Sequence, residues 1–129
     1  MVLFVDDDES ILEFLRLLAN QFDLPYRAVL SAKEALRLCK EGHDFDVIIT
    51  DLDMPEMDRI QFAAALRQLG SDARLFSFSA GNINYKHIDL KSIFDKTFSK
   101  PAGYQPLLVE AMIAMSNRRY RSSTCKTTQ

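Results

Sequence analysis

Several short apolar runs in this chain end in residues that handle charge. Val2-Leu3-Phe4-Val5 leads into Asp6, Asp7, Asp8 and Glu9, and Asp46-Val47-Ile48-Ile49-Thr50 ends at Asp51. Leu75-Phe76-Ser77-Phe78 ends at Ser79-Ala80, and Thr97-Phe98-Ser99 is followed by Lys100-Pro101. Carboxylates gathered within a few ångströms repel one another unless they are protonated or hold a cation. A ligand set made only of oxygens suits Mg²⁺, which keeps several waters and accepts phosphate oxygens as further ligands; Mn²⁺ suits the same donors. Lys100 offers a compact positive charge for phosphoryl oxygens. Ser79 offers a hydroxyl donor, and a carboxylate is itself a competent phosphoryl acceptor. These residue types together point to phosphoryl transfer onto a carboxylate, driven by positioning and charge stabilisation.

That chemistry requires the runs to end side by side. Short continuous apolar runs are what strands covered on both faces look like. Between them lie stretches with apolar residues three and four apart, the mark of amphipathic helices. Residues 10–22 carry Ile11, Phe14, Leu15, Leu18 and Phe22 in that spacing. Tyr26-Arg27-Ala28-Val29 reads as the second strand. Ser31 and Glu34 form a capping-box pattern before a helix that Gly42 stops. Residues 60–69 give a third helix with Ile60, Phe62, Ala63, Leu66 and Leu69 inward, and Gly70 as its stop. Residues 84–93 have only a weak helical stripe, and residues 105–118 form a last helix with Leu107, Leu108, Ala111, Met112 and Met115 on one face. Five strands alternating with helices predict an α/β fold with one doubly wound parallel sheet, covered on both faces. Ligands of such open sheets bind at the carboxyl ends of the strands, where the acids, the hydroxyl and the lysine all fall.

Composition narrows the function. The chain has 129 residues, a net charge of −2 and 26% charged residues, which suits one domain and disfavours nucleic-acid binding. Its two cysteines, Cys39 and Cys125, form no disulfide or metal pattern. No stretch approaches the ~20 apolar residues that cross a bilayer, and no basic segment precedes the first apolar run. A cytoplasmic location is therefore expected, with no membrane partner and no organic cofactor. His43 and His87 read as surface residues, and Asp8 and Glu9 as aids to the start of the first helix rather than metal ligands. The residues from Arg119 onward are polar and basic, as in a disordered tail.

The blocks Phe4-Val5-Asp6-Asp7-Asp8, Thr50-Asp51-Leu52-Asp53-Met54-Pro55, Phe78-Ser79-Ala80 and Ser99-Lys100-Pro101 resemble, in order and spacing, the signature of the receiver domains of two-component response regulators, the CheY-like family. The resemblance covers residues 1–117, leaving 118–129 as tail. It implies strand order 2-1-3-4-5. It also implies Asp51 as phosphoacceptor, Asp6 and Asp7 with Asp51 as the acidic metal pocket, and the backbone carbonyl of Asp53 as a further ligand. Ser79 and Lys100 would contact the phosphoryl group, and the Lys100-Pro101 bond would be cis. The implied donor is a histidine kinase or histidine phosphotransfer protein, and the implied output is altered binding of a downstream protein in a phosphorelay. No separate substrate would be turned over, and the protein would be a monomer or a phosphorylation-dependent dimer. It would be a single-domain regulator or a receiver excised from a larger protein.

Three features depart from the family pattern. Arg59 stands where glycine is usual, which implies a strained or rebuilt loop. Thr97 stands where the family often has an aromatic residue, which puts the usual aromatic switch in doubt. The segment 81–93 is unusually polar for a helix that commonly recognises partners. Two alternatives follow: a receiver fold kept as a docking scaffold without regulated phosphorylation, and a phosphohydrolase of the haloacid-dehalogenase type. The second rests on Asp51-Leu52-Asp53, but its motif belongs on a first strand and is followed by a small hydroxyl residue.

Overall fold

The computed structural model describes residues 1–51, 59–79, 96–99 and 108–116, and for Asp51, Arg59, Ile60, Phe78, Ser79 and 96–99 it describes the backbone. Strand β1 (Val2–Val5), helix α1 (Glu9–Gln21), β2 (Tyr26–Val29), α2 (Ala32–Lys40), β3 (Val47–Asp51), α3 (Arg59–Gln68), β4 (Arg74–Ser79) and β5 (Lys96–Ser99) follow in turn. Residues 108–116 form a C-terminal helix. The strands make one five-stranded sheet in the order β2-β1-β3-β4-β5. All four pairings are parallel. This is the doubly wound order that the resemblance implies.

The helix ends follow local chemistry. The Asp8 carboxylate caps α1 by accepting from the Ser10 backbone N–H, so one otherwise unsatisfied donor of the first turn is met. Ser31 does the same for α2, its hydroxyl accepting from the Glu34 N–H at 3.2 Å. Gly42 and Gly70, just past α2 and α3, have φ of 96° and 83°, the left-handed conformation that glycine adopts without steric cost. Arg67 fastens the turn from α3 into β4, its Nη1 donating to the carbonyls of Ser71 and Ala73, each at 2.9 Å.

Alternation along the strands divides the core in two. One face sets Leu3, Val5, Val29, Ile48 and Leu75 against α2 and α3 through Ala35, Leu38, Phe62 and Leu66. The other sets Val2, Phe4, Val47, Ile49 and Phe76 against α1 and the C-terminal helix through Leu12, Leu15, Leu108 and Met115. Burying each large apolar side chain contributes about 1.5–3 kcal/mol, so the two layers together hold the sheet's central strands in fixed register.

Three inward expectations are corrected. Phe14 is 43% exposed, because Leu12, Leu15 and Ala19 define the buried stripe of α1 and Phe14 lies well round the helix from it. Leu69 is 38% exposed, since α3 ends at Gln68 and Leu69 falls in the turn. Met112 is 36% exposed, at the margin of the stripe made by Leu108, Ala111 and Met115. Arg59 opens α3, a right-handed helical backbone with no need of glycine. The loop before it, 52–58, lies outside the described residues, as do 80–95, the Lys100-Pro101 bond and the tail from 117.

Candidate functional site

The parallel register fixes which strand ends are neighbours. Val5 of β1 pairs with Thr50 of β3, so Asp6 and Asp51 occupy the next level on adjacent strands. Asp51 pairs with Phe78 of β4, which leaves Ser79 one step further out. Ser79 in turn pairs with Ser99 of β5, the residue before Lys100 in the chain. The carboxyl ends of β1, β3, β4 and β5 thus form one continuous edge. Asp53, Lys100 and the side chains of Asp51 and Ser79 lie outside the described residues.

Asp6 is buried at 2% exposure. Its Oδ1 accepts from the backbone N–H of Asp8 at 2.9 Å, a local turn that holds the carboxylate against its own chain. Asp7 is exposed beside it. Asp8 turns its carboxylate to Ser10 and the helix. The acidic run is therefore divided: Asp6 is held in the protein, Asp7 faces solvent, and Asp8 caps α1 as expected. Burial of a carboxylate is costly unless hydrogen bonds or a cation offset it. By residue type, Asp6, Asp7 and Asp51 offer only oxygen donors, the kind that a hard divalent cation such as Mg²⁺ takes. Among the described side chains, which do not include those of Asp51 and Asp53, no three His, Cys, Asp or Glu form a metal cluster.

The reactive side chains elsewhere are explained by structure. Cys39 is free and packs against the α2–α3 core layer. Burial, and then the nearby charge of Asp44, push its thiol pKa up, which makes it a poor nucleophile. His43 stacks on Phe45 with ring centroids 6.3 Å apart. Ser77, to which the sequence pattern gives no special weight, has a wholly buried hydroxyl without a hydrogen-bond partner. Its only sequence signal is the Ser-Phe-Ser alternation at the end of β4.

The chain resembles known proteins over most of its length. Its fold superposes on the receiver domain of the Francisella response regulator 1452 with a TM-score of 0.78 at 28% identity, covering 91% of this chain and 97% of that one. Two-component response regulator 24 of Arabidopsis thaliana is 32% identical over 73 residues, 57% of this chain and 52% of the relative. Two-component response regulator ARR10 of the same plant is 40% identical over 58 residues, 44% of this chain. That stretch spans only 10% of ARR10, a much longer protein. The sequence pattern described as the response regulator receiver domain matches residues 2–112. On the fold, the strand-end acids and this match, the chain belongs to the response regulator receiver domain family.

Proposed function

We propose that this domain accepts a phosphoryl group on Asp51 from a phosphohistidine of a histidine kinase or phosphotransfer protein, in a Mg²⁺-dependent reaction, and thereby changes its affinity for a downstream protein. The observation that carries the reading is the register. Asp6 and Asp51 stand at one level on neighbouring strands, with the end of β4 next in line. Residues 1–117 would form the receiver and 118–129 a basic tail. A free Cys39 is compatible with a reducing cytoplasm.

In the proposed step, a carboxylate oxygen of Asp51 attacks the donor's phosphorus. An O–P bond forms, the P–N bond of the phosphoimidazole breaks, and the departing imidazole nitrogen takes up a proton. Asp6, Asp7 and Asp51, with the Asp53 carbonyl, would hold the cation. When bound, Mg²⁺ neutralises the carboxylates and the incoming phosphoryl charge. The Lys100 ammonium would counter the phosphoryl oxygens from the far side, and the Ser79 hydroxyl would donate to one of them. The local bond from Asp8 N–H to Asp6 keeps one carboxylate placed before any ligand arrives, so less ordering is needed on binding.

The test is intact-mass measurement after incubation with acetyl phosphate and Mg²⁺. Wild type should gain one phosphoryl group and Asp51→Asn none. Labelling that persists unchanged in Asp51→Asn would remove Asp51 from the role.

A further inference from the structure

Two exposed apolar stripes lie on the sheet face that α1 shares with the C-terminal helix. On α1, Phe14 and Leu17 are 43% and 61% exposed. On the C-terminal helix, Val109, Met112 and Ile113 are 45%, 36% and 47% exposed. Handedness decides whether the stripes adjoin. The right-handed crossover from β1 to β2 sets α1 over those two strands, and β2 is the edge of the sheet. The C-terminal helix shares a core layer with α1 and with Val47, Ile49 and Phe76 of β3 and β4, so it lies beside α1 on the β3 side. In a doubly wound sheet each helix runs back from the carboxyl end of the strand before it, so the two helices are parallel. Both turn about 100° per residue. With Leu12, Leu15 and Ala19 against the sheet, Phe14 then falls on the side of α1 toward the C-terminal helix, and Leu17 on its crest. With Leu108, Ala111 and Met115 buried, Val109 and Met112 fall toward α1, and Ile113 on the other crest. The stripes therefore line one groove. Glu13 and Glu110 fall on the outer sides of the pair. Ser10, Gln21 and Ser116, the exposed polar residues that border the groove, carry no charge.

Apolar residues so exposed and so placed make a patch on the order of 400 Å², the size at which an apolar surface marks a binding site. One side of a standard protein interface contributes roughly 500 Å² of apolar area, so this groove supplies most of what a dimer needs. We propose that the groove is the interface for a second copy of this chain, with the helix pair of each copy stacked on that of the other about a twofold axis. A twofold axis sets a patch against itself, so any charge inside the patch would meet its like. Among the described side chains this groove holds none, and the interfaces of homodimers are the more apolar kind. The interface needs no phosphoryl group, so it is independent of the phosphoacceptor reading above.

The experiment is sedimentation velocity of the unliganded chain over a concentration series reaching roughly 300 μM, high enough to populate a micromolar dimer. Wild type should pass from monomer to dimer. Leu17→Glu and Ile113→Glu should each weaken the dimer about tenfold or more, since each buries a carboxylate twice across the axis. Both positions are exposed, so circular dichroism of the dilute variants should match wild type. Leu30→Glu, 46% exposed at the end of β2 and away from the groove, should dimerise as wild type does. Adding beryllofluoride with Mg²⁺ should leave the dimer unchanged. A wild type that stays monomeric, a dimer indifferent to both groove variants, or a dimer lost in Leu30→Glu would each overturn the proposal. So would a dimer that forms only with beryllofluoride, which would tie association to the phosphorylation edge instead. A monomer that dimerises only after residues 118–129 are removed would overturn it as well, by showing that the chain's own tail occupies the groove.

Discussion

The two halves of the sheet are built from different materials. β1 is Val-Leu-Phe-Val, buried at every position, and β3 is Val-Ile-Ile before it reaches Thr50 and Asp51. Their polar chemistry is confined to the tips. β4 and β5 instead interleave hydroxyl and phenyl side chains, as Ser77-Phe78-Ser79 and Thr97-Phe98-Ser99. An apolar strand packed on both faces has one good arrangement, because its stability comes from close packing that tolerates little displacement. A strand carrying hydroxyls can exchange one hydrogen-bond partner for another at modest cost. The contrast predicts a division of labour: β1 and β3 as the fixed floor beneath the proposed acidic pocket, and the carboxyl ends of β4 and β5 as the part that can respond.

The largest effect that could break this comparison is expected in the floor. Ile48 is fully buried in the α2–α3 layer. Ile48→Ala should lower the unfolding free energy by about 2–5 kcal/mol, the range for truncating a buried aliphatic side chain, as read by urea denaturation. Ser77→Ala, two positions nearer the tips and on the neighbouring strand, should move the other way. If Ile48→Ala costs little, the floor is not rigid and the proposed division fails.

A middle-sized effect concerns how β4 is held at its start. The two bonds from Arg67 to the carbonyls of Ser71 and Ala73 fasten the turn before Arg74. Arg67→Ala should cost about 1–2 kcal/mol, since the bonds are made by a charged but largely exposed group. Hydrogen exchange should quicken in residues 71–76 and stay unchanged in β1. Equal loosening of β1 and β4 would show that the halves open together, not independently.

Much of this architecture is legible in the sequence because it is local. The apolar runs locate the strands within a residue or so, Ser31 announces the start of α2, and Gly42 and Gly70 mark the helix stops. The expectation failed where apolar type outran position. Phe14, Leu69 and Met112 are apolar and near the right spacing, but Phe14 lies well round α1 from its buried residues, Leu69 falls past the end of α3, and Met112 sits at the margin of its stripe. The strand-end acids are legible because one apolar run leads straight into Asp6 and another into Asp51. The division of the acidic run, with Asp6 buried and Asp7 exposed, needed the backbone turn in three dimensions. Ser77 was not legible at all, since a missing hydrogen-bond partner is a property of the neighbours rather than of the serine.

The smallest effect lies at the tip of β1. The Asp8 carboxylate accepts from the Ser10 N–H at 2.9 Å, and the Asp8 backbone N–H donates to Asp6. Asp8→Ala removes the first bond and keeps the second, because alanine retains its N–H. It should cost about 1 kcal/mol, the usual loss for an N-cap, by urea denaturation. Mg²⁺-dependent beryllofluoride binding should stay at the wild-type level, whereas Asp6→Asn should weaken it. A clear loss of binding in Asp8→Ala would mean that the Asp8 carboxylate serves the cation as well as the helix. The floor would then depend on a solvent-exposed side chain rather than on the buried Asp6 and the backbone that holds it. In that event the tip of β1 would be as adaptable as that of β4, and the two halves would differ in their interiors alone.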